Sequence, residues 1–250
     1  MSKDYSGTPY KSMEPTANLS AESLNHADRL AHEWQLAEDT FANEEVQHTV
    51  PIFGSARIPE PNDSSEQTSS CQQMSSYYAA ARALAFQLGQ YIEQEKLNHT
   101  RLITGGGPGI MEAASRGAFD AGHSSIGLNI KIPREQQLNP FIAAKHSIEF
   151  QYFALRKMHF LKRSRALVVF PGGFGTLDEL FETLTLIQTK KLPHIPIVLY
   201  GADFWHRLFD FTVLSECGLI DQTNLALYHV VDTVEEALEI VLPVLSELKP

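Results

Sequence analysis

The stretch that decides the fold is Ala166-Leu167-Val168-Val169-Phe170, followed directly by Pro171-Gly172-Gly173-Phe174-Gly175-Thr176. An unbroken apolar run of this kind is typical of a strand in a parallel sheet that is buried on both faces. A helical pattern follows over 176–188, so strand, glycine-rich turn and helix succeed one another without a linker. This order predicts one strand–helix unit of a parallel α/β sheet.

The rest of the chain alternates strands and helices in the same way. Further strands are predicted at 49–53, 101–103, 125–130, 195–200 and 228–231. Further helices are predicted at 75–94, 110–121, 152–163, 204–216 and 234–248, with Pro243 expected to kink or break the last one. A long loop covers 131–146. The alternation favours an α/β fold, namely a Rossmann-like doubly wound parallel sheet flanked by helices.

The chain is predicted to consist of two parts. Residues 1–45 form an N-terminal extension, with a disordered polar tail over 1–17 and a helical arm over 19–45. The apolar stripe of this arm is Leu24, Ala27, Leu30, Ala31 and Trp34. Because the arm precedes the first strand, it must pack either on the domain or on a partner subunit. Residues 46–250 form the Rossmann-like domain.

Composition excludes several classes of protein. A formal charge of −10 over 250 residues argues against a nucleic-acid partner, which needs a basic surface, although backbone amides can still bind a small anion. The two cysteines, Cys71 and Cys217, fit neither a disulfide framework nor a zinc motif, and we expect no metal or other cofactor. No stretch of 18 apolar residues exists, and the first 30 residues lack the apolar core of a signal peptide. The sequence therefore predicts a cytoplasmic protein without a membrane partner.

Two glycine-rich turns are expected at one edge of the sheet, where the strands end and where ligands of such sheets bind. Glycine lets the backbone approach a ligand closely, and the free amides of the helix that follows attract anions. The candidate phosphate-binding residues in these turns are Gly105, Gly106, Gly107, Gly172, Gly173, Phe174, Gly175 and Thr176. Glycine in a strand-to-helix turn also serves packing alone, but two such turns in one domain favour a phosphate site.

The pattern favours a mononucleotide as the ligand. Neither turn spells G-x-G-x-x-G, Asn129 stands where an acid would hold the ribose of NAD, and no P-loop is present. Glu179, one turn beyond the phosphate site, would lie where a sugar joined to that phosphate would sit. The alternative is a capping box, in which Thr176 caps the helix and Glu179 reaches back to the cap amide.

The sequence resembles the Lonely Guy (LOG) family of cytokinin riboside 5′-monophosphate phosphoribohydrolases, long described as lysine decarboxylases. The resemblance rests on Gly105–Ala114, on Arg156-Lys157, and on a complete P-G-G-x-G-T-x-x-E motif that ends at Glu179, 23 residues after the arginine. It covers roughly residues 48–248. The loop 133–140 and the N-terminal extension are similar to the longer bacterial branch of the family rather than to its short plant-like members.

The resemblance implies roles for particular residues. The family's catalytic pair falls on Arg156 and Glu179. Its substrate-binding residues fall on Lys157, on 173–176 and on Thr185, and an acidic contact of the plant branch aligns with Glu135. Members of the family are dimers or larger assemblies with the site near a subunit boundary, so a homodimer or higher homo-oligomer is expected here.

These observations lead to one function and two alternatives. The function is hydrolysis of the N-glycosidic bond of AMP or of a cytokinin riboside 5′-monophosphate, which releases the free base and ribose 5-phosphate. A nucleosidase acting on AMP or GMP differs from this only in its substrate. The alternative from another class is a non-catalytic nucleotide or molybdenum-cofactor carrier on the same fold, which would not need the Arg156–Glu179 pair.

Overall fold

A computed structural model of the protein describes residues 21–61, 73–132 and 138–249. The predicted tail over 1–17, Cys71 and Glu135 lie outside these ranges. Strands within them are β1 His48–Phe53, β2 Thr100–Thr104, β3 Ile126–Ile130, β4 Ser147–Phe150, β5 Leu167–Val169, β6 Ile197–Tyr200 and β7 Tyr228–Val231. The α-helices are α1 Ala21–Asn43, α2 Ser75–Gln94, α3 Ile110–Asp120, α4 Phe153–Lys162, α5 Phe174–Gln188, α6 Ala202–Leu208, α7 Thr212–Glu216 and α8 Val234–Ser246. Short 3₁₀ helices lie at Ala144–His146 and Gln222–Leu227.

The strands form one sheet in the order β4-β3-β2-β1-β5-β6-β7, and every neighbouring pair is parallel. The predicted α/β, doubly wound parallel sheet is therefore confirmed. The chain builds outward from β1 to β4 on one side and from β5 to β7 on the other, so the order reverses between β1 and β5. In open α/β sheets, ligands bind at such a reversal, outside the carboxyl ends of the strands.

Both faces of the sheet are buried because the side chains of β5 alternate between two cores. Val168 and Phe170 belong to the core that includes α2, α3 and α8. Leu167 and Val169 belong to the core that includes α1, α4 and α5. All four side chains are fully buried, and each contributes about 1.5–3 kcal/mol relative to an exposed position. This double burial explains the unbroken apolar run in the sequence.

The strand β4 was not predicted, because it is only four residues long and lies at the edge of the sheet. Its sequence alternates, with Ile148 and Phe150 buried and Glu149 exposed. One edge strand with a single buried face gives a weak period-2 signal. The strand matters for function because it places the start of α4 beside the carboxyl end of β3.

Two helix predictions were wrong in detail. The helix predicted over 204–216 is two helices, α6 and α7, because the backbone at Phe209 is extended and ends α6. The Asp210 carboxylate accepts hydrogen bonds from the amide and hydroxyl of Thr212 in the turn before α7. Pro243 does not break α8, which continues to Ser246. Both Pro243 and Glu239, whose carbonyl loses its helical partner, are exposed, so water can satisfy that carbonyl.

The helical arm predicted over 19–45 is α1, and it packs on this domain against α4 and β4. The predicted apolar stripe was partly wrong, because Ala27 and Ala31 are exposed. Burial falls instead on Ala37 and Phe41, further along the helix. No helix in the described parts of the chain is long and apolar enough to cross a membrane.

Candidate active site

The start of α5 presents free backbone amides at the carboxyl end of β5. Gly173 is the N-cap residue, its backbone is extended, and no side chain in the described residues caps the helix. The first hydrogen bond inside the helix runs from the Leu177 amide to the Gly173 carbonyl, at 3.0 Å. The amides of Phe174, Gly175 and Thr176 therefore have no acceptor within the helix. Together with the helix dipole, these three amides form an anion-binding end.

Packing explains only one of the three glycines in this second turn. A Cβ atom on Gly172 would collide with the Thr176 side chain, so packing requires glycine at that position. A Cβ on Gly173 or on Gly175 would meet nothing within 4 Å, and both residues are exposed. Packing within this chain does not explain Gly173 and Gly175. The absent side chains leave the neighbouring amides open to a ligand.

The first glycine turn, after β2, is closed by other parts of the chain. Gly106 and Gly107 are buried, and their carbonyls accept hydrogen bonds from the side-chain amide of Asn139, at 3.1 and 3.2 Å. The Gly106 amide donates to the Thr104 hydroxyl at 3.0 Å. The Gly106 amide is therefore not open to a ligand as the amides at the start of α5 are.

Gly105 belongs to the site because of its neighbour Arg156. A Cβ on Gly105 would come within 2.5 Å of the Arg156 guanidinium, so glycine makes room for that group. Arg156 lies on α4, is only 8% exposed, and donates from Nε to the Leu128 carbonyl at 2.8 Å. Its guanidinium also lies 5.0 Å from the centre of the Phe160 ring. Burial lowers the pKa of Arg156 and Glu179 opposes that shift, but an arginine keeps its charge in proteins.

Glu179 faces Arg156 across the space between α5 and α4. Its Oε1 lies 3.8 Å from Arg156 Nη1, which is longer than a hydrogen bond. Both side chains can therefore still form hydrogen bonds with a ligand. Only 14% of the Glu179 side chain is exposed. Burial raises the pKa of Glu179 to about 7, although the charge of Arg156 acts in the opposite direction. A buried carboxyl that titrates near neutrality and has a cationic partner is typical of a functional site.

The capping-box alternative for Glu179 is wrong. The helix begins at Phe174, two residues before Thr176, so Thr176 lies inside the first turn and is not the cap. Glu179 lies six residues beyond the N-cap Gly173, too far along the helix to reach the cap amide. The glycine turn is shorter than the sequence indicated, and this moves Glu179 from the helix start to the face opposite Arg156.

Lys157 joins α4 to α5 through two carboxylates that sequence reasoning missed. Its Nζ lies 3.1 Å from Asp178 Oδ2 and 3.1 Å from Glu182 Oε2. Burial alone would lower the pKa of Lys157, but these two carboxylates raise it. Asp178 and Glu182 are four residues apart and so lie on one face of α5, and that helical spacing was the available signal. The site therefore combines two cations of α4 with three carboxylates of α5.

The side chains of two predicted binding residues, Thr185 and Phe174, are exposed to solvent. The Thr185 side chain is exposed and donates its hydroxyl to the Phe181 carbonyl of its own helix, at 2.7 Å. Thr185 also lies about 9 Å along the helix axis from Glu179, so a single chain does not bring the two together. The Phe174 side chain is 92% exposed, and at this position only the backbone amide faces the anion-binding end. Among the described residues, no group of three or more His, Cys, Asp or Glu side chains could hold a metal ion.

Comparison with known proteins identifies the family of the chain. A family model described as "Possible lysine decarboxylase" matches residues 111–241, just over half of the chain, including Arg156 and Glu179. A probable cytokinin riboside 5′-monophosphate phosphoribohydrolase of Oryza sativa subsp. japonica is 30% identical over 131 residues, which cover 51% of this chain and 50% of that protein. A pyrimidine/purine nucleotide 5′-monophosphate nucleosidase of Escherichia coli (strain K12) is 30% identical over 151 residues, 54% of this chain and 31% of that protein. The chain thus spans about half or less of the length of these relatives.

Solved structures show the same fold. The Moco carrier protein from Chlamydomonas reinhardtii superposes with a TM-score of 0.50 over 80% of this chain and 99% of that chain, at 21% identity. The molybdenum cofactor binding protein from Rippkaea orientalis gives a TM-score of 0.50 at 19% identity, over 80% of this chain and 98% of that chain. At this level of identity the likeness concerns the architecture alone.

Proposed function

The chain belongs to the Lonely Guy (LOG) family, whose model carries the description "Possible lysine decarboxylase", and on that premise we propose that it is a nucleoside 5′-monophosphate phosphoribohydrolase. It would hydrolyse the N-glycosidic bond of AMP or of a cytokinin riboside 5′-monophosphate, and release the free base and ribose 5-phosphate. The observation that carries this proposal is the Arg156–Glu179 pair beside the open amides of α5. An anion-binding end next to a buried carboxylate matches a phosphate joined to a sugar.

The phosphate would bind at the amides of 174–176, where the helix dipole favours a negative charge. Binding there fixes the ribose over the space between α5 and α4, close to Glu179. Holding the ribose at a fixed position and orientation beside the carboxylate lowers the entropic part of the activation barrier. Lys157 is held beside the same space by Asp178 and Glu182, and would contribute positive charge near the phosphate.

Glu179 would act on the ribose. In its ionised form, the carboxylate stabilises the positive charge that develops on the sugar as the glycosidic bond breaks, and orients the attacking water. The positive charge of Arg156 favours the ionised form of that carboxylate. The 3.8 Å separation leaves N–H groups of the Arg156 guanidinium free to donate hydrogen bonds to the substrate. The proposed reaction uses side chains and backbone amides of this chain, and we place it in the cytoplasm.

The experiment that tests the proposal is release of free bases from a panel of 5′-mononucleotides, which includes AMP, GMP and an isopentenyl-modified AMP. The proposal expects base release from at least one purine 5′-monophosphate. A carrier on this fold would bind a nucleotide and return it intact. Binding without base release from any member of the panel would exclude the enzyme and leave the carrier alternative.

The rate of the proposed reaction should depend on pH through Glu179. Because the carboxylate acts when ionised and burial raises its pKa to about 7, kcat/KM should be constant above that pH. Below it, kcat/KM should fall about tenfold per pH unit. The substrate phosphate has a pKa near 6, so its protonation should lower kcat/KM further below that pH. A profile of base release from pH 5 to 9 checks this, and activity that stays flat from pH 8 down to 6 would contradict an ionised Glu179.

We expect the protein to form at least a homodimer. Large apolar side chains are exposed beside the site, with Phe153 53%, Met158 49% and Phe174 92% exposed. Exposed large apolar side chains on two adjacent helices are typical of an interaction surface. Light scattering should give at least twice the chain mass of 27.9 kDa. A stable monomer at micromolar concentration would contradict this expectation.

A further inference from the structure

Three carboxylates of the N-terminal arm contact the segment of chain that carries Arg156. Glu44 contacts Lys145 and His146 before β4. Glu33 contacts the turn between β4 and α4. Glu38 contacts His159, Lys162 and Arg163 in the second half of α4 and just after it. The arm therefore holds this segment at its start, in its middle and at its end. Residues 111–241, which match the family model, do not include the arm.

Glu33 contacts the start of α4. Its two carboxylate oxygens accept hydrogen bonds from the backbone amides of Gln151 and Tyr152, at 2.8 and 3.1 Å. Tyr152 is the N-cap residue of α4, and no side chain of α4's own cap position satisfies the helix start. Glu33 is only 9% exposed, so this is a buried charge bound by two donors. It fixes the first turn of α4 from outside that helix.

The arm also packs on the inner face of α4. Trp34 lies against His159, with 4.4 Å between ring centres, and Phe41 lies against the same ring at 6.0 Å. His159 is fully buried. These contacts pack α1 against α4, so the position of Glu33 is set by packing as well as by charge.

One residue links Glu33 to Arg156. The amide of Tyr152 is held by Glu33, and the carbonyl of Tyr152 accepts a hydrogen bond from the Arg156 amide, at 3.2 Å. The Arg156 side chain then runs to the Leu128 carbonyl and to Glu179. A shift of the first turn of α4 would therefore change the separation between the Arg156 guanidinium and the Glu179 carboxylate.

We propose that Glu33 is a positioning residue that fixes the first turn of α4 and so sets the separation between Arg156 and Glu179. The consequence for catalysis rests on the function proposed above, whereas the geometric effect on Glu179 does not. Arg156 is the largest of the charges that keep Glu179 ionised, with Lys157 acting in the same direction and Asp178 and Glu182 opposing it. The titration of Glu179 therefore reports the position of Arg156 without any turnover.

The experiment compares the carboxyl titration of Glu179 in the full-length protein and in Glu33→Gln. Glutamate side chains are labelled with ¹³C, and the Glu179 signal is assigned by its loss in Glu179→Gln. Glutamine has the size of glutamate, but its NH₂ group would face one of the two amide donors, so one of the two hydrogen bonds is lost. We expect the midpoint of Glu179 to rise by about half a pH unit or more, because Arg156 is held less closely. We also expect kcat to fall about tenfold, the scale of a small misplacement of a catalytic group.

Two control variants separate positioning from general loosening. Asp39→Asn removes an exposed carboxylate of α1 that bonds to Gln35 of its own helix, and should change neither the titration nor the rate. Glu38→Gln removes the ion pairs with Lys162 and Arg163 and the contact with His159, all of them C-terminal to Arg156. Those pairs lower the pKa of Glu38 to about 2 despite its partial burial, so this variant should lower the melting temperature. It should leave the Glu179 midpoint unchanged.

The outcomes decide the proposal. A raised midpoint in Glu33→Gln, without one in the two controls, supports it. An unchanged midpoint in folded Glu33→Gln overturns it, as does a rise in Glu38→Gln that equals the rise in Glu33→Gln. If Glu33→Gln does not fold, Glu33→Asp, whose shorter carboxylate cannot reach both amides, gives the same comparison. If the wild type releases no base, the proposed function fails while the titration still tests the role of Glu33.

Discussion

The Glu179→Gln variant is expected to remain folded and to lose at least ~100-fold in kcat/KM for AMP at pH 8. Glutamine keeps the size of the side chain but removes the negative charge that stabilises an oxocarbenium-like transition state. A preorganised charge of this kind supplies ~3 kcal/mol or more. The phosphate-binding amides of α5 are untouched, so AMP should still bind. The measurement is the rate of adenine release, with Glu239→Gln, an exposed position on α8, as the control.

The same variant should be more stable than the wild type above pH 7. The pKa of Glu179 is raised from 4.5 to about 7 in the folded protein, so between these values the unfolded chain loses its proton and the folded chain retains it. Stability therefore falls as pH rises through this window, by about 3 kcal/mol in all. Glutamine removes this loss. We expect a higher melting temperature for Glu179→Gln at pH 8 and little difference at pH 5.

The loss of rate and the gain in stability expected for Glu179→Gln would together exclude a purely structural role for Glu179. A residue that only supported the helix would leave adenine release unchanged and lower the melting temperature at both pH values. A variant that turns over AMP at the wild-type rate would remove Glu179 from the proposed mechanism. A gain in stability together with a loss of rate is the combination expected where a buried charge is retained for catalysis.

The second large effect concerns the phosphate of the substrate. AMP should be cleaved with a kcat/KM roughly two or more decades above that for adenosine. Adenosine lacks the anion that the amides of 174–176 and the dipole of α5 would bind, and each lost charge-assisted contact costs about 1.5–3 kcal/mol. Adenine release from the two compounds, measured at equal concentrations below KM, gives the ratio. Comparable rates would contradict the assignment of this helix start to the phosphate.

The sheet could be predicted from the sequence because its central strands are buried on both faces. The run Ala166–Phe170 carries this signal by itself, and its two neighbouring cores explain it. The edge strand β4 and the division between α6 and α7 could not be predicted in the same way. Both depend on local features, a single buried face in β4 and the extended backbone at Phe209, that periodicity over a long window does not detect.

The two glycine turns look alike in the sequence but differ in the structure. In the sequence both turns read as phosphate sites. In the structure, Gly106 and Gly107 are covered by Asn139, which lies 32 residues beyond Gly107, whereas Gly173 and Gly175 remain open. No local pattern contains that contact, because the loop that carries Asn139 reaches the turn only in the folded chain.

The pairing of Arg156 with Glu179 came from the family resemblance, and the structure adds its physical basis. Gly105 has no side chain, which leaves space for the guanidinium, and the Leu128 carbonyl fixes its Nε. The contribution of Glu33 could not be predicted, because it acts through backbone amides 118 and 119 residues away along the chain. Residues that hold catalytic groups through the backbone leave no spacing pattern in the sequence.

The measurement that tests the central claim most directly is the product balance of wild-type protein with AMP over many turnovers. Chromatography would quantify adenine, ribose 5-phosphate, adenosine and inorganic phosphate in the same reaction. Hydrolysis of the N-glycosidic bond predicts adenine and ribose 5-phosphate in equal amounts, with neither adenosine nor inorganic phosphate formed. If AMP and every other nucleotide of the panel are recovered intact from protein that binds them, the claim is contradicted and the carrier alternative remains. Adenosine with inorganic phosphate would contradict the claim by showing cleavage of the wrong bond.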